Sequence, residues 1–424
     1  MMQVLLIAML FLTIFNFYIP ALGPSVYLAI VGGVLVSLIN IKKISIKRNV
    51  ISAALAKYVK KFIMPFLCII SIIVLRNIFS GGNDISFLII TIKMLLFCIA
   101  STIVIINIYI ANSGHSETRM AFNNYLYIIG AIQSTIILFA IVNPSLADLI
   151  KSLQNNDSNN SALVAEGLRG VALSSMQFFG LATFYCLLLT FLANDFVCRN
   201  ISMRRTIFYL ILFVFSSIFV SRTAILGCII FFIYIFNPLA KFSKKRSLAL
   251  LIYFSSFLIV TLLSLMVIFP EKITIITEKV IPWAFEFIYS FSDSGKFATA
   301  STDELSKMYF PISELTFLIG DGRYAGDVAG AYYMSTDAGY MRPVLYGGFL
   351  LLSAMIISWI IWLSDICKNG NDKFLFLTLL FLSFLLQYKG EFIVTNYTSI
   401  LTVSGALLYL TMYRLDKKAS YCNV

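Results

Sequence analysis

The chain passes repeatedly through unbroken apolar stretches of about 20 residues, the length at which a helix crosses a hydrocarbon core ~30 Å thick. This leaves few folds open. Inside a bilayer no water satisfies backbone N–H and C=O groups, so a crossing segment is a helix or a strand of a closed barrel. Barrel strands read as ~10-residue alternations of apolar and polar residues, and these stretches do not alternate. Composition agrees: 60% of the 424 residues are apolar and 12% charged, and mean hydropathy is +0.91. A water-soluble domain carries roughly 25% charged residues.

The expectation is an all-α fold: a polytopic integral membrane helical bundle of about 12 transmembrane helices. The stretches fall near 3–20, 22–40, 62–79, 87–110, 125–143, 171–192, 206–220, 222–238, 249–269, 343–363, 374–390 and 397–413. They divide the chain into three parts. Residues 1–269 hold nine spans with short loops and one longer external loop at 144–170. Residues 270–342 form a large external loop, and 343–424 hold three spans and a tail. Within the large loop, Lys272 to Phe291 is apolar with scattered charges and includes Trp283, which reads as an amphipathic helix in the membrane interface. Gly320 to Arg342, rich in Gly, Asp and Tyr, reads as irregular.

The formal charge of +12 is a topology signal. Basic residues cluster in alternate loops: Lys42, Lys43, Lys47, Arg48, Lys57, Lys60 and Lys61; Arg199, Arg204 and Arg205; Lys241, Lys244, Lys245 and Arg246; Arg414, Lys417 and Lys418. Such loops are cytoplasmic. All segments on that side hold 20 Lys and Arg against 5 Asp and Glu, which leaves 15 of the 20 acids opposite. Both termini are then cytoplasmic, and no nucleic-acid partner is expected. The assignment turns on Thr206 to Ala240, about 35 residues interrupted by Ser221-Arg222-Thr223. Read as a tight hairpin, it keeps the basic loop at 241–246 inside; read as one helix, it inverts every later orientation.

Soluble-enzyme motifs are missing: no GxxxxGK[ST], no HExxH, no DxD pair. None of the seven cysteines falls in an external loop, so neither a disulfide framework nor a metal-ligand spacing is read. No cofactor and no metal is expected. The only histidine, His115, lies in Gly114-His115-Ser116 on the cytoplasmic side and reads as a solvated loop residue. The first apolar run lacks a basic n-region and a cleavage site, so it reads as the first helix rather than a signal peptide.

What remains are basic residues on the outer side. Arg76 ends the third span, Arg169 precedes the sixth, Arg222 sits at the hairpin tip, Arg323 and Arg342 bracket the Gly/Tyr segment, and Lys93 lies within the fourth span. Snorkelling or pairing with external acids accounts for such residues. A site for an anionic group accounts for them too, because the guanidinium fork binds phosphate oxygens in pairs and keeps its charge when partly desolvated. Arg222 is the strongest single candidate, held close to the bilayer surface by its short hairpin. Tyr324, Tyr332, Tyr333, Tyr340 and Tyr346 crowd the segment holding Arg323 and Arg342. They suit sugar rings, or form an interfacial aromatic belt.

This arrangement of spans, the hairpin carrying Ser221-Arg222-Thr223-Ala224-Ile225-Leu226 and the large external loop resembles the Wzy-type O-antigen polymerases, which are related in architecture to the O-antigen ligases. Gly320-Asp321-Gly322 and Ser335-Thr336-Asp337-Ala338-Gly339-Tyr340 in the loop strengthen the likeness, as does Gly347-Gly348 after it. The likeness covers most of the chain as architecture and short stretches as motif. The family is also associated with an Arg-x10-Gly pattern in two external loops. Arg169 to Gly180 fits one copy; eleven residues after Arg323 stands Met334, and eleven after Arg342 stands Ser353, so the second is missing.

The resemblance implies a metal-independent glycosyltransferase, multi-pass in the cell inner membrane, with residues 270–342 periplasmic. It would transfer the growing glycan from undecaprenyl pyrophosphate to the sugar end of another lipid-linked repeat unit. Implied partners are that lipid-linked oligosaccharide, membrane lipids, a chain-length regulator and a flippase. The leaving lipid pyrophosphate needs cations at the bilayer surface, a role for Arg222, Arg169 and Arg323, with Arg342, Arg76, Lys93, Tyr324 and Tyr340 as further binding residues. The acceptor hydroxyl needs a base within reach, for which Asp321, Asp337, Glu314 and Asp327 are candidates. Two other readings stay open. An O-antigen ligase is expected to carry a histidine in the large loop, and this loop has none. A lipid-linked oligosaccharide flippase is expected to show short loops throughout and more charges within its spans.

Overall fold

The computed structural model describes residues 1–80, 84–113, 121–154, 170–237, 244–268, 277–278, 281–295, 299–328, 330–367 and 373–422. Among them, six helices are long and apolar enough to cross a membrane: Arg48–Phe79, Ser86–Asn112, Ala121–Val142, Phe179–Val197, Met203–Val220 and Met341–Ile366. The other expected spans are helical too, as Met2–Phe15, Val26–Ile39, Ala224–Ile235, Lys244–Ile268, Lys373–Lys389 and Tyr397–Cys422. The chain is a helical membrane protein. Met2–Phe15 and Val26–Ile39 have 14 residues each, about 21 Å at 1.5 Å per residue, less than a full crossing. Their expected outer ends are taken up by a turn. Asn16 adopts a left-handed conformation, Tyr18–Ile19 pairs antiparallel with Gly23–Pro24, and the Ser25 hydroxyl donates to the Leu12 carbonyl at 2.8 Å.

The helices divide into two units, one of Met1–Tyr125 with Glu304–Val424, the other of Leu126–Asp303. In the first, Met341–Ile366 packs on Met64–Ser80, Lys373–Lys389 and Tyr397–Cys422. Phe62, Phe66 and Trp362 stack within it, with Phe62 and Trp362 centroids 4.5 Å apart. The polar ends of its fully buried tryptophans are met: Trp359 Nε1 donates to Ser383 at 2.8 Å and Trp362 Nε1 to the Lys61 carbonyl at 3.0 Å. Lys61 also pairs with Asp365.

In the second unit, Phe179–Val197 is buried from Gly180 to its end, as expected of a helix apolar on nearly every side. It packs on Ala224–Ile235 so closely that a Cβ on Gly227 would stand 2.8 Å from the Cys186 Cα. Its start is later than the sequence suggests because residues 170–178 are irregular. The expected break at Ser221-Arg222-Thr223 is present: Met203–Val220 ends in extended backbone at Ser221 and Ala224–Ile235 begins three residues later. Arg246, at the start of Lys244–Ile268, donates to the Ile201 carbonyl at 3.1 Å and lies over the Phe196 ring. The basic turn near 199–205 and the basic start of this helix therefore share one end of the unit. At the hairpin tip, Arg222 pairs with Glu286 and lies over Trp283, 5.0 Å from its centroid. The expected single interfacial helix from Lys272 to Phe291 is, among the described residues, two short helices, Ile281–Ala284 and Glu286–Ser294.

Candidate functional site

The start of the Met341–Ile366 helix is broken. Gly347 (φ −130°) and Gly348 (φ +68°, ψ −168°) leave helical geometry, so the carbonyls of Leu345 and Tyr346 are free to accept from outside. The Asp321 and Gly322 amides take them at 2.6 and 3.0 Å. This explains two glycines. A Cβ on Gly348 would strike the Leu318 carbonyl, and one on Gly320 the Tyr346 carbonyl. Irregular backbone within a membrane-crossing helix is tolerated where protein covers it or a cavity needs it, and such breaks mark binding sites in membrane carriers.

Around the break the first unit collects several charged side chains. Arg342 is 9% exposed, ion-paired with Glu391, and sandwiched between the rings of Tyr324 and Tyr332, whose centroids lie 3.8 and 4.1 Å from its Cζ. The Tyr324 hydroxyl donates to the same carboxylate at 2.6 Å. Phe87 packs against Tyr324 and Tyr346, with ring centroids 4.7 and 5.0 Å away. Two polar atoms of the ion pair remain buried without a hydrogen-bond partner, the Arg342 Nε and the Glu391 Oε1. Nearby, Arg76 donates to the Gly320 carbonyl, and its Nε is likewise buried without a partner.

Three devices hold this arrangement. Asp84 accepts from the amides of Tyr324 and Ala325 at 2.6 and 2.8 Å and from Ser86. Burial works against its charge, but these donors outweigh burial and hold its carboxyl below the ordinary value. Gln387, fully buried, donates to the Gly339 carbonyl and accepts from the amides of Phe392 and Ile393, tying the turn after 389 to the turn before 341. Tyr346 donates to Asn77 at 2.8 Å. Burial pushes the Glu391 carboxyl above its ordinary value, against the opposing pull of Arg342. Asp337 is also raised by burial, with Arg342 and Lys389 opposing.

The expected residues thus separate. Arg342, Tyr324 and Arg76 belong to the cluster, and Asp337 interacts with Arg342. Asp321 flanks it, its carboxylate accepting from Thr316 at 2.8 Å and from Tyr333 at 3.3 Å. Arg323 is exposed, paired with Asp327 and lying over Tyr333. Tyr340 has a framework contact, donating to the Phe384 carbonyl at 3.1 Å. Glu314 is exposed in the first turn of Glu314–Ile319, and Lys93 is exposed on Ser86–Asn112. Arg222 belongs to the other unit. Arg169 and His115 lie outside the described residues. Pairing with acids therefore describes Arg222, Arg323 and Arg342 alike, and burial separates Arg342 from the others.

Sequence reasoning missed Glu391, Asp84 and Gln387. A signal for two of them existed. Glu391 and Asp84 are carboxylates in short turns between apolar runs, and the logic applied to arginines at such places applies equally to acids. Among the described residues no group of three or more His, Cys, Asp and Glu is placed to hold a metal. No family model, curated protein or solved structure matches this chain.

Proposed function

We propose that the protein transfers a glycan from a polyprenyl pyrophosphate to a hydroxyl of a second lipid-linked sugar at the outer face of the cell inner membrane, as an O-antigen polymerase does. One observation carries the reading: a buried ion pair, flanked by tyrosine faces at a broken helix, has one open donor and one open acceptor. A hydroxyl satisfies both, accepting from Arg342 Nε and donating to Glu391 Oε1. Leaving either atom unmet costs about 1–3 kcal/mol, and a hydroxyl-bearing ring with apolar C–H faces suits the exposed ring of Tyr332. In the reaction the acceptor oxygen attacks the anomeric carbon. The bond from that carbon to the pyrophosphate oxygen breaks, the lipid pyrophosphate leaves with the bonding electrons, and the hydroxyl proton passes to the Glu391 carboxylate. Arg76 and Arg342 offset the charge developing on the leaving group. Removing a general base of this kind costs roughly 10²–10⁴ in rate.

The test is lipopolysaccharide banding in a deletion strain complemented with wild type, Arg342→Ala or Glu391→Gln, with membrane levels measured in parallel. The expected result is core capped by a single repeat in the deletion and in both variants, and a full ladder with wild type. Uncapped core with accumulated lipid-linked polymer identifies a ligase. Repeat units held at the cytoplasmic face identify a flippase. A normal ladder in the deletion removes the proposal.

A further inference from the structure

The short helix Glu314–Ile319 does not behave as part of a water-exposed loop. Leu315 is 67% exposed, Leu318 58%, Ile319 48% and Phe317 45%. Four of its six residues thus present large apolar side chains outward, in a segment whose backbone is tightly fixed. Burying one such side chain is worth about 1.5–3 kcal/mol, so a surface of this kind in water is costly.

Its position supplies the reason. The segment is locked against the spanning helix Met341–Ile366 through the Asp321 and Gly322 hydrogen bonds to Leu345 and Tyr346 and through the close approach of Leu318 to Gly348. That helix has 26 residues, about 39 Å at 1.5 Å per residue, against a hydrocarbon core of ~30 Å. Residues 345–348 lie four to seven positions in from its N-terminal end, roughly 6–10 Å along the axis, a depth comparable with the roughly 9 Å by which the helix exceeds that core. Immediately beyond, Phe349 and Leu350 are 53% and 62% exposed, and Phe317 stacks on Phe349 with centroids 5.7 Å apart. The apolar face of the short helix is therefore continuous with the lipid-facing side of a membrane-crossing helix.

Backbone satisfaction fits the same setting. Ser313 caps the helix by accepting from the Thr316 amide at 3.0 Å, the Ser313 and Thr316 hydroxyls pair at 2.8 Å, and the Gly320 amide closes the other end on the Thr316 carbonyl at 2.8 Å. These backbone and hydroxyl groups are met internally, as a segment in contact with lipid requires. The exposed Glu314 carboxylate stands in the first turn, at the end of the helix away from Leu318 and Ile319.

We infer that Glu314–Ile319 is inserted into the outer leaflet, with Leu315, Phe317, Leu318 and Ile319 against the acyl chains of the surrounding phospholipid. The 270–342 loop is thus anchored in the membrane at its functional end, and the Gly320–Tyr324 strap enters the Arg342 cluster from the lipid side.

The test places a benzoylphenylalanine photocrosslinker at Leu318 or Phe317 in the full chain in native membranes. Ile357, exposed on the spanning helix, serves as the lipid-facing control, and Asp327, exposed in the loop, as the aqueous one. Irradiation should add the mass of one phospholipid to the chain at 317, 318 and 357 and not at 327. Absence of a lipid adduct at both 317 and 318, with a normal yield at 357, overturns the inference. A discrete protein adduct at 317 or 318 also overturns it and identifies a partner or a second copy as the cover. Both substituted positions are exposed, so two independent sites read the same face.

Discussion

Arg342 lies between two aromatic faces while paired with a carboxylate, so its charge and its plane act together. Lysine keeps the charge and loses the plane. Arg342→Lys should destabilise the protein by about 1–2 kcal/mol through lost stacking, and Arg342→Ala by about 3–5 kcal/mol, because Glu391 is then buried without its partner. Thermal unfolding in detergent ranks the two, and equal losses would mean that the charge contributes nothing without the plane. The Glu391 carboxyl gives a pH test. Its folded value is raised above 4.5 by burial despite Arg342, so the folded chain holds this proton more tightly than the unfolded chain. The stability this contributes is full below pH 4.5 and is lost as pH rises through the raised value. Glu391→Gln has no such titration. The melting temperature of the wild type should therefore fall relative to that of Glu391→Gln as pH climbs. The opposite trend would show that the ion pair outweighs desolvation. Arg342 was legible in the sequence as an arginine at the end of an apolar run; its pairing with Glu391 was not, because 49 residues separate them and only the packing of three helix ends brings them together.

At the scale of elements, the glycine break and the strap it receives form one device. Gly348→Ala meets two penalties, a left-handed φ of +68° and a Cβ placed on the Leu318 carbonyl. Gly295→Ala meets only the first, since its φ is +70° and the space around it is open. The left-handed conformation alone costs roughly 1–2 kcal/mol. Gly295→Ala should therefore lower stability by about that amount, while Gly348→Ala should also detach the strap and raise proteolytic cleavage between 314 and 324. Limited proteolysis of the two variants separates these effects, and identical digestion patterns would argue against the strap. Apolar runs and the Gly347-Gly348 pair were legible in the sequence because each is a local signal. The strap's attachment was not, since the same glycines serve equally as a hinge, and a hydrogen bond from Asp321 to Leu345 leaves no trace in composition. The single helix expected from Lys272 to Phe291 failed at Phe285, where two short helices meet, because apolar periodicity is indifferent to a local break.

For the whole molecule, the decisive question is how many crossings separate the basic residues near 204 from those near 245. Both groups are cytoplasmic only if the number is even, and the structure places a turn at Ser221-Arg222-Thr223 between them. Ala224–Ile235 has 12 residues, about 18 Å long, so by itself it does not span a ~30 Å core. What joins the two basic groups is Arg246, whose bond to the Ile201 carbonyl puts them at the same end of their unit. Seven further Lys and Arg residues lie between 199 and 246 in sequence, none of them in the stretch from 206 to 240 except Arg222, and Arg222 is occupied at the opposite turn by Glu286. Single cysteines at Ser202, Lys245 and Asp327, probed in intact cells with a membrane-impermeant thiol reagent, read the orientation directly. Labelling at Asp327→Cys alone is expected. Labelling at Lys245→Cys without Ser202→Cys would mean an odd number of crossings between the two basic groups. It would also move the Arg342 cluster to the cytoplasmic face, where a polyprenyl-linked donor for outer-face polymerisation is not presented.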